Sequence, residues 1–489
     1  MGEKQEPAVL DAVRDWRRER AAEIVAGFAE LVRLENVTGD VPALRCNADE
    51  IVARLRARGA EVEAVGPDGI APLVVGRVPA RPGAPRLGLY AHYDGQPVTP
   101  ADWSTPPFEP TLIGPDGARL PFPGAGEEVD DEWRLHGRAA ADDKAPIAAL
   151  LVALDALTAA GAEREVELLL CLEGEEESGS PHLDELMTAY ADRLQAPVWL
   201  VCDGPVQPGN APQVVLGVRG FTDLELTVYG PARELHSGHY GNWAPNPALA
   251  LARLLASMKD ADGRVTIDGF TADTRPPDAA EQAALDALPP VEAGLLDRFG
   301  LAAAEVPGSR LADRLMLPSL NVRGLRAADV GTAARNVIPA YATASIDIRL
   351  AAGDDPKALT DRVREHVRAQ GYLVLDREPT AAERREHQVA RIDARVGYPA
   401  ARAGADLPVV AHLLDLTARA AGRPAITLPT LGGSVPLQHF GQALGAPAVI
   451  LPIANPDNNQ HAADENLRLG NLWYGIDLFA LLLTERPAA

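Results

Sequence analysis

Val166-Glu167-Leu168-Leu169-Leu170-Cys171-Leu172-Glu173-Gly174-Glu175-Glu176-Glu177-Ser178-Gly179-Ser180 decides how this chain is read. An apolar run leads directly into three consecutive carboxylates, Glu175, Glu176 and Glu177. The pattern predicts a buried strand whose end delivers acids into one small space. Adjacent carboxylates repel one another and are costly to desolvate. A cation turns that cost into a gain. Taken alone, the segment is equally readable as a solvated acidic turn, so the rest of the sequence must choose.

Four other segments carry ligand-type residues at the ends of apolar runs or in polar loops. Leu87-Gly88-Leu89-Tyr90-Ala91-His92-Tyr93-Asp94 is an apolar strand with His92 and Asp94 two apart, on one side of the strand. A histidine with a nearby carboxylate is a common pairing of a metal ligand with its orienting group. Gly137 to Lys144 is a small-residue loop that carries Asp142 and Asp143 into a helix beginning at Ala145. Val198-Trp199-Leu200-Val201-Cys202-Asp203 is another apolar strand ending in an acid, and Asn458 to Asn466 is a polar loop containing His461. Each has an ordinary explanation: a hydrogen-bonded histidine, a helix cap at Asp142 or Asp143, or an Asp-Gly turn at Asp203-Gly204. Together they form a nitrogen-and-oxygen donor set suited to zinc, manganese or cobalt.

Around this set the chain alternates strands and helices, which predicts an α/β architecture. Helical periodicity covers residues 8 to 35 and 48 to 58, with strands at 72 to 78 and 86 to 91, a helix at 145 to 160, and apolar runs at 165 to 172 and 197 to 202. Near residue 213 the pattern changes to alternating, antiparallel-style strands (214 to 218, 222 to 228, 342 to 350) with helices at 247 to 258 and 355 to 369. These features predict an inserted α+β domain over 214–385, between the two parts of an α/β domain, 1–213 and 386–489. The Ala/Pro/Asp-rich stretch 273 to 316 keeps an apolar pattern and is read as ordered.

A length of 489 residues predicts two or three domains. The net charge of −23, from 46 basic and 69 acidic residues, argues against nucleic acid and anionic membranes as partners. Cys46, Cys171 and Cys202 are too few and too scattered for a disulfide framework. The segment Met1 to Pro7 lacks an apolar signal core, and no window holds the ~18 apolar residues of a membrane span. A cytoplasmic enzyme is expected.

The order His92-x-Asp94, Asp142-Asp143-Lys144, Glu176-Glu177-Ser178-Gly179, Asp203, His236-Ser237-Gly238, His461 resembles the M20 metallopeptidases, and more closely their dipeptidase branch, related to carnosinases and cytosolic nonspecific dipeptidases. Trp103, Pro107-Phe108, Asn336-Val337-Ile338-Pro339 and Gly432-Gly433-Ser434 add to the likeness, which spans nearly the whole chain. The resemblance implies two divalent ions per subunit, zinc first, with manganese and cobalt as alternatives. It gives one ion His92, Asp142 and Asp203 and the other Asp142, Glu177 and His461. Asp142 bridges, Asp94 orients His92, and Glu176 is the general base. It also implies a ferredoxin-like insert acting as lid and dimerisation domain in a homodimer. There His236 reaches the partner subunit's site, while Asn336, Arg349, Gly432, Gly433 and Ser434 contact substrate.

Three positions depart from the family pattern. Ala139 and Ala145 stand where glycine is usual, and Leu431 stands where the dipeptidase branch carries an acid that meets the substrate's ammonium. The expected substrate is a dipeptide or small peptide. Leu431 keeps open an alternative, an amidohydrolase acting on N-acyl or otherwise modified amino acids.

Overall fold

A computed structural model describes residues 6–433 and 435–487. Its larger sheet has eight strands in the order Glu61–Val65, Leu73–Val78, Glu167–Glu173, Arg86–His92, Trp199–Val201, Ala448–Ile450, Gln213–Val215, Ile426–Leu428. The strands Glu167–Glu173, Arg86–His92, Trp199–Val201 and Ala448–Ile450 run parallel to one another. They read as unbroken apolar runs because both sheet faces are covered. Leu87, Leu89 and Ala91 enter the core on one face and Tyr90 the core on the other, the period of two that a strand imposes. Gly88 interrupts this run for a packing reason: a β-carbon there would lie 2.2 Å from the Trp199 ring.

Helices close both faces. Lys144–Ala159 and Leu469–Thr484 are buried along most of their length and pack together. The region expected to carry one helical pattern over 8 to 35 divides into Glu6–Glu19 and Ala21–Arg33, with Arg20 leaving helical geometry between them. The opposite face is capped by Leu183–Ala189 and by Phe440, which packs on Tyr90 and Trp199 at ring separations of 5.5 and 5.1 Å.

The second sheet has five strands in the order Ser319–Arg326, Tyr341–Leu350, Gly220–Tyr229, Gln388–Tyr398, Tyr372–Leu375. Helices Pro247–Ala256 and Pro356–Ala369 pack on it, each started by Pro behind a capping Asn246 or Asp355. Gln388–Tyr398 lies beyond residue 385 yet pairs along Gly220–Tyr229, and Gln213–Val215 belongs to the first sheet. The stretch 273–316 is built from three short helices, Ala279–Ala287, Glu292–Phe299 and Leu311–Leu315. Among the described residues, no helix is long and apolar enough to cross a membrane.

Candidate dinuclear metal centre

Three adjacent parallel strands place the site. His92 ends Arg86–His92 and sits in register with Glu173, while Tyr90 is level with Val201 on the other side. The residues after these strands, Asp94, Glu176, Glu177 and Asp203, therefore share the crevice beyond the carboxyl ends, the usual ligand position in such sheets. Asp142 arrives on the loop before helix Lys144–Ala159, and His461 on the loop before the last helix.

The five residues expected as metal ligands come together. His92 Nε2 lies 2.9 Å from Asp142 Oδ1 and 4.0 Å from Asp203 Oδ2. His461 Nε2 lies 3.1 Å from Asp142 Oδ2 and 3.3 Å from Glu177 Oε2. Asp142 thus turns one oxygen to each histidine. Asp143 joins His92 and Asp203 as an additional carboxylate, and its Oδ2 accepts the His92 backbone N–H at 3.2 Å. Although Asp143 stands at the helix N-cap, its side chain makes no capping hydrogen bond there, so the ordinary explanation for this residue falls away.

Asp94, fully buried, ties the site together. Its Oδ1 is 3.3 Å from His92 Nδ1, and its two oxygens accept the backbone N–H groups of Glu176 (3.2 Å) and Glu177 (3.1 Å). Glu175 faces elsewhere: its carboxylate meets His182 Nδ1 at 2.6 Å and the Ala71 N–H at 3.3 Å. That leaves Glu176 facing the cavity and Glu177 in the cluster.

The electrostatics are those of a cluster assembled for cations. Burial, reinforced by Asp203, Asp142 and Glu177, holds Glu176 well above the ordinary carboxylate range. Burial pushes Asp203 up to about 7, with Asp142 and Glu177 adding to the effect. Hydrogen bonds to Asp142 and Glu177 lift His461 to about 10. At Asp142 burial opposes ionisation, but hydrogen bonds from His461 and His92 prevail and hold it below the ordinary range. The imidazole and carboxylate donors fit divalent zinc, manganese or cobalt.

Support for the site includes groups the sequence did not single out. Glu465 is fully buried and bonds Arg138 at 2.6 Å. It also accepts the backbone N–H groups of Ala139 (3.1 Å), Ala141 (3.0 Å) and Asp142 (3.0 Å), fixing the loop that presents Asp142. Arg138 stacks 5.0 Å from the Trp103 ring. Glu173, buried beside His92, accepts from Tyr90 Oη at 2.5 Å and Ser180 Oγ at 3.1 Å, and burial pushes it up to about 8. Gln460 Nε2 donates to Asp142 Oδ2 at 2.7 Å. Nothing in sequence separates these residues from solvated loop groups. Ala139 adopts φ +61°, the left-handed region where glycine is favoured.

A cavity of about 700 Å³ opens onto Asp142, Glu176, Asp203 and His461 and is also lined by Arg349, Leu431, Gly432 and Gly433. Ser434 lies outside the described residues. His236 and Asn336 do not line this cavity: they are exposed, and their ribbon pairs Leu235–His236 with Val337–Ile338.

Two nitrogen-and-oxygen clusters joined through one carboxylate, at the carboxyl ends of parallel strands and beside a cavity, define a candidate hydrolytic metal centre. Residues 88–485 match the model of peptidase family M20/M25/M40, and the chain belongs to that family. It is 27% identical over 497 residues to the Cys-Gly metallodipeptidase of Schizosaccharomyces pombe, covering 97% of this chain and 98% of that protein. It is 25% identical over 519 residues to the human Beta-Ala-His dipeptidase, covering 98% and 93%. The fold matches that of an M20 family metallo-carboxypeptidase from Sulfolobus solfataricus with a TM-score of 0.75 at 23% identity, covering 94% of this chain and 98% of that one.

Proposed function

We propose that this chain hydrolyses the amide bond of dipeptides or small peptides with a pair of divalent cations, zinc first and manganese or cobalt as alternatives. The observation that carries the reading is Asp142, one oxygen toward His92 and the other toward His461. His92, Asp142 and Asp203 would hold one ion, with Asp143 close by, and Asp142, Glu177 and His461 the other. Bound cations supply Lewis acidity and lower the pKa of water. Glu176 takes a proton at its carboxylate and returns it to the leaving amine, a role its raised pKa suits. Asp94 holds the His92 ring through Nδ1 and the Glu176 backbone through its N–H. Arg349, on the cavity wall, pairs with a substrate carboxylate, and Gly432 and Gly433 let substrate backbone approach closely.

The reading divides the chain into a metal-bearing α/β unit and an inserted α+β unit, with the insert carried through Tyr398 by its sheet. It includes a homodimer built through that insert, which exposes Trp243, Leu249, Leu325, Val330 and Tyr341. His236 of the partner subunit completes the oxyanion side of the site, consistent with its not lining the cavity of its own chain. A cytoplasmic location completes the reading.

The test is hydrolysis of a dipeptide panel by metal-reconstituted protein, followed by mixing His236→Ala with Glu176→Gln subunits. Dipeptide turnover and partial recovery of activity on mixing are expected. Failure to cleave any dipeptide refutes the function, and full activity in a strict monomer refutes the shared site.

A further inference from the structure

Two carboxamides reach the ligand cluster on the His461 side. Gln460 Nε2 donates to Asp142 Oδ2 and Gln96 Nε2 donates to Glu177 Oε2, each at 2.7 Å. These are the two oxygens that face His461 Nε2, at 3.1 and 3.3 Å. The other cluster is built differently. Among the described residues, no carboxamide donates to His92, Asp143 or Asp203. Its His92 and Asp203 side chains are enclosed, whereas His461 is 54% exposed.

The loop that carries His461 is bent to aim Gln460 as well. Consecutive side chains of an extended chain point to opposite sides. Gln460 and His461 nevertheless both reach Asp142 Oδ2. Asn459 and His461 hold φ of +56° and +61°, the left-handed region, and so turn the backbone on either side of Gln460. Neither is glycine, so neighbours must hold this conformation against its cost. The Gln460 N–H donates to Asn458 Oδ1 at 2.7 Å. Asp464 Oδ1 accepts the Ser104 N–H at 2.8 Å and the Ser104 hydroxyl at 2.9 Å, which ties the far end of the loop to a separate segment.

A carboxylate oxygen accepts on two sides. At Asp142 Oδ2 the Gln460 amide takes one side and leaves the other toward His461, and Gln96 does the same at Glu177 Oε2. A carboxamide is an uncharged donor. It fixes the oxygen without repelling a cation, as a lysine or arginine at the same place would. We infer that Gln460 and Gln96 are positioning residues that set the affinity of the cation on the His461 side and leave the other side unaffected, an inference that rests on the dinuclear reading above.

The experiment measures Zn²⁺ affinity by competition with a chromophoric chelator on full-length, metal-free protein. It compares wild type, Gln460→Met, Gln96→Met, and Gln460→Met added to His461→Ala. Methionine keeps the side-chain length and removes the donor. Each single change should weaken one of the two Zn²⁺ equivalents by about 10- to 100-fold, the usual effect of removing a group that orients a ligand. His461→Ala should keep one equivalent, on the His92 side, and adding Gln460→Met should leave its affinity unchanged. If Gln460→Met fails to fold, Gln96→Met gives the same reading. Unchanged Zn²⁺ binding in the folded methionine variants overturns the inference. So does equal weakening of both equivalents, or weakening of the equivalent left in His461→Ala. Fewer than two equivalents in wild type overturns the dinuclear reading with it. Two equivalents bound without hydrolysis of any dipeptide overturns the hydrolase reading and leaves this inference to the affinities.

Discussion

Replacing Glu465 with glutamine keeps the side-chain shape but removes one of two acceptor oxygens. Oε1 serves the Ala141 and Asp142 N–H groups, both at 3.0 Å, while Oε2 serves Ala139 at 3.1 Å and Arg138 at 2.6 Å. Whichever oxygen becomes the amide NH2, two donors lose their acceptor and the buried Arg138 loses its counter-charge. Breaking a buried pair from one side typically costs about 3–5 kcal/mol. The damage falls on the loop that presents Asp142, so metal affinity should drop as well, by about 10- to 100-fold, the usual effect of removing a group that orients a ligand. Burial raises Glu465 to about 7, so the comparison belongs at pH 8, where the wild-type carboxylate is ionised. Urea unfolding gives the stability change, and competition with a chromophoric chelator gives the affinity. Arg138→Met combined with Glu465→Gln should cost less than the sum of the single changes, by about 1 kcal/mol or more. A Glu465→Gln protein within about 0.5 kcal/mol of wild type and with unchanged metal affinity would refute the reasoning.

Glu176→Gln should retain its metals yet lose turnover by about 10²-fold or more, while Glu175→Gln stays active because Glu175 is engaged by His182. The reverse result would shift the acid pair by one position. Ala139→Gly should stabilise the protein by about 1 kcal/mol in chemical denaturation, since Ala139 holds φ +61°; a destabilised glycine variant would show that the methyl packing outweighs the backbone cost. Loading cations at pH 7 should release protons. His461 is raised to about 10 and Asp203 to about 7, so at pH 7 His461 holds a proton and Asp203 is about half protonated, protons that a cation displaces, and the release should shrink as pH rises through these values. Calorimetry in buffers of different ionisation enthalpy reads this directly, and proton uptake would contradict it.

The metal-bearing strands were legible because each is an apolar run broken abruptly by an acid or histidine, and parallel pairing gathers such breaks at one sheet edge. His92 and Asp203 gather with Asp143, and Asp142 with Glu177 and His461. Asp143 was legible only as a neighbour, since its part depends on where the loop turns its carboxylate. Glu465 and Arg138 were illegible because their pairing joins loops 327 positions apart and neither differs in type from a solvated charge. The strand Gln388–Tyr398 resembled the α/β strands in composition, and only pairing with Gly220–Tyr229 reveals its sheet. The break at Arg20 has no glycine or proline to mark it, so one periodic pattern concealed two helices. The stretch 273–316 was readable as ordered, but not that its helices wall the cavity.

Metal content measured against activity on a single preparation is the most direct test of the proposed dinuclear centre. Two equivalents of divalent cation per chain are expected, lost together with amide hydrolysis on strong chelation and restored together by zinc, manganese or cobalt. Full hydrolytic activity in rigorously metal-free protein would contradict it.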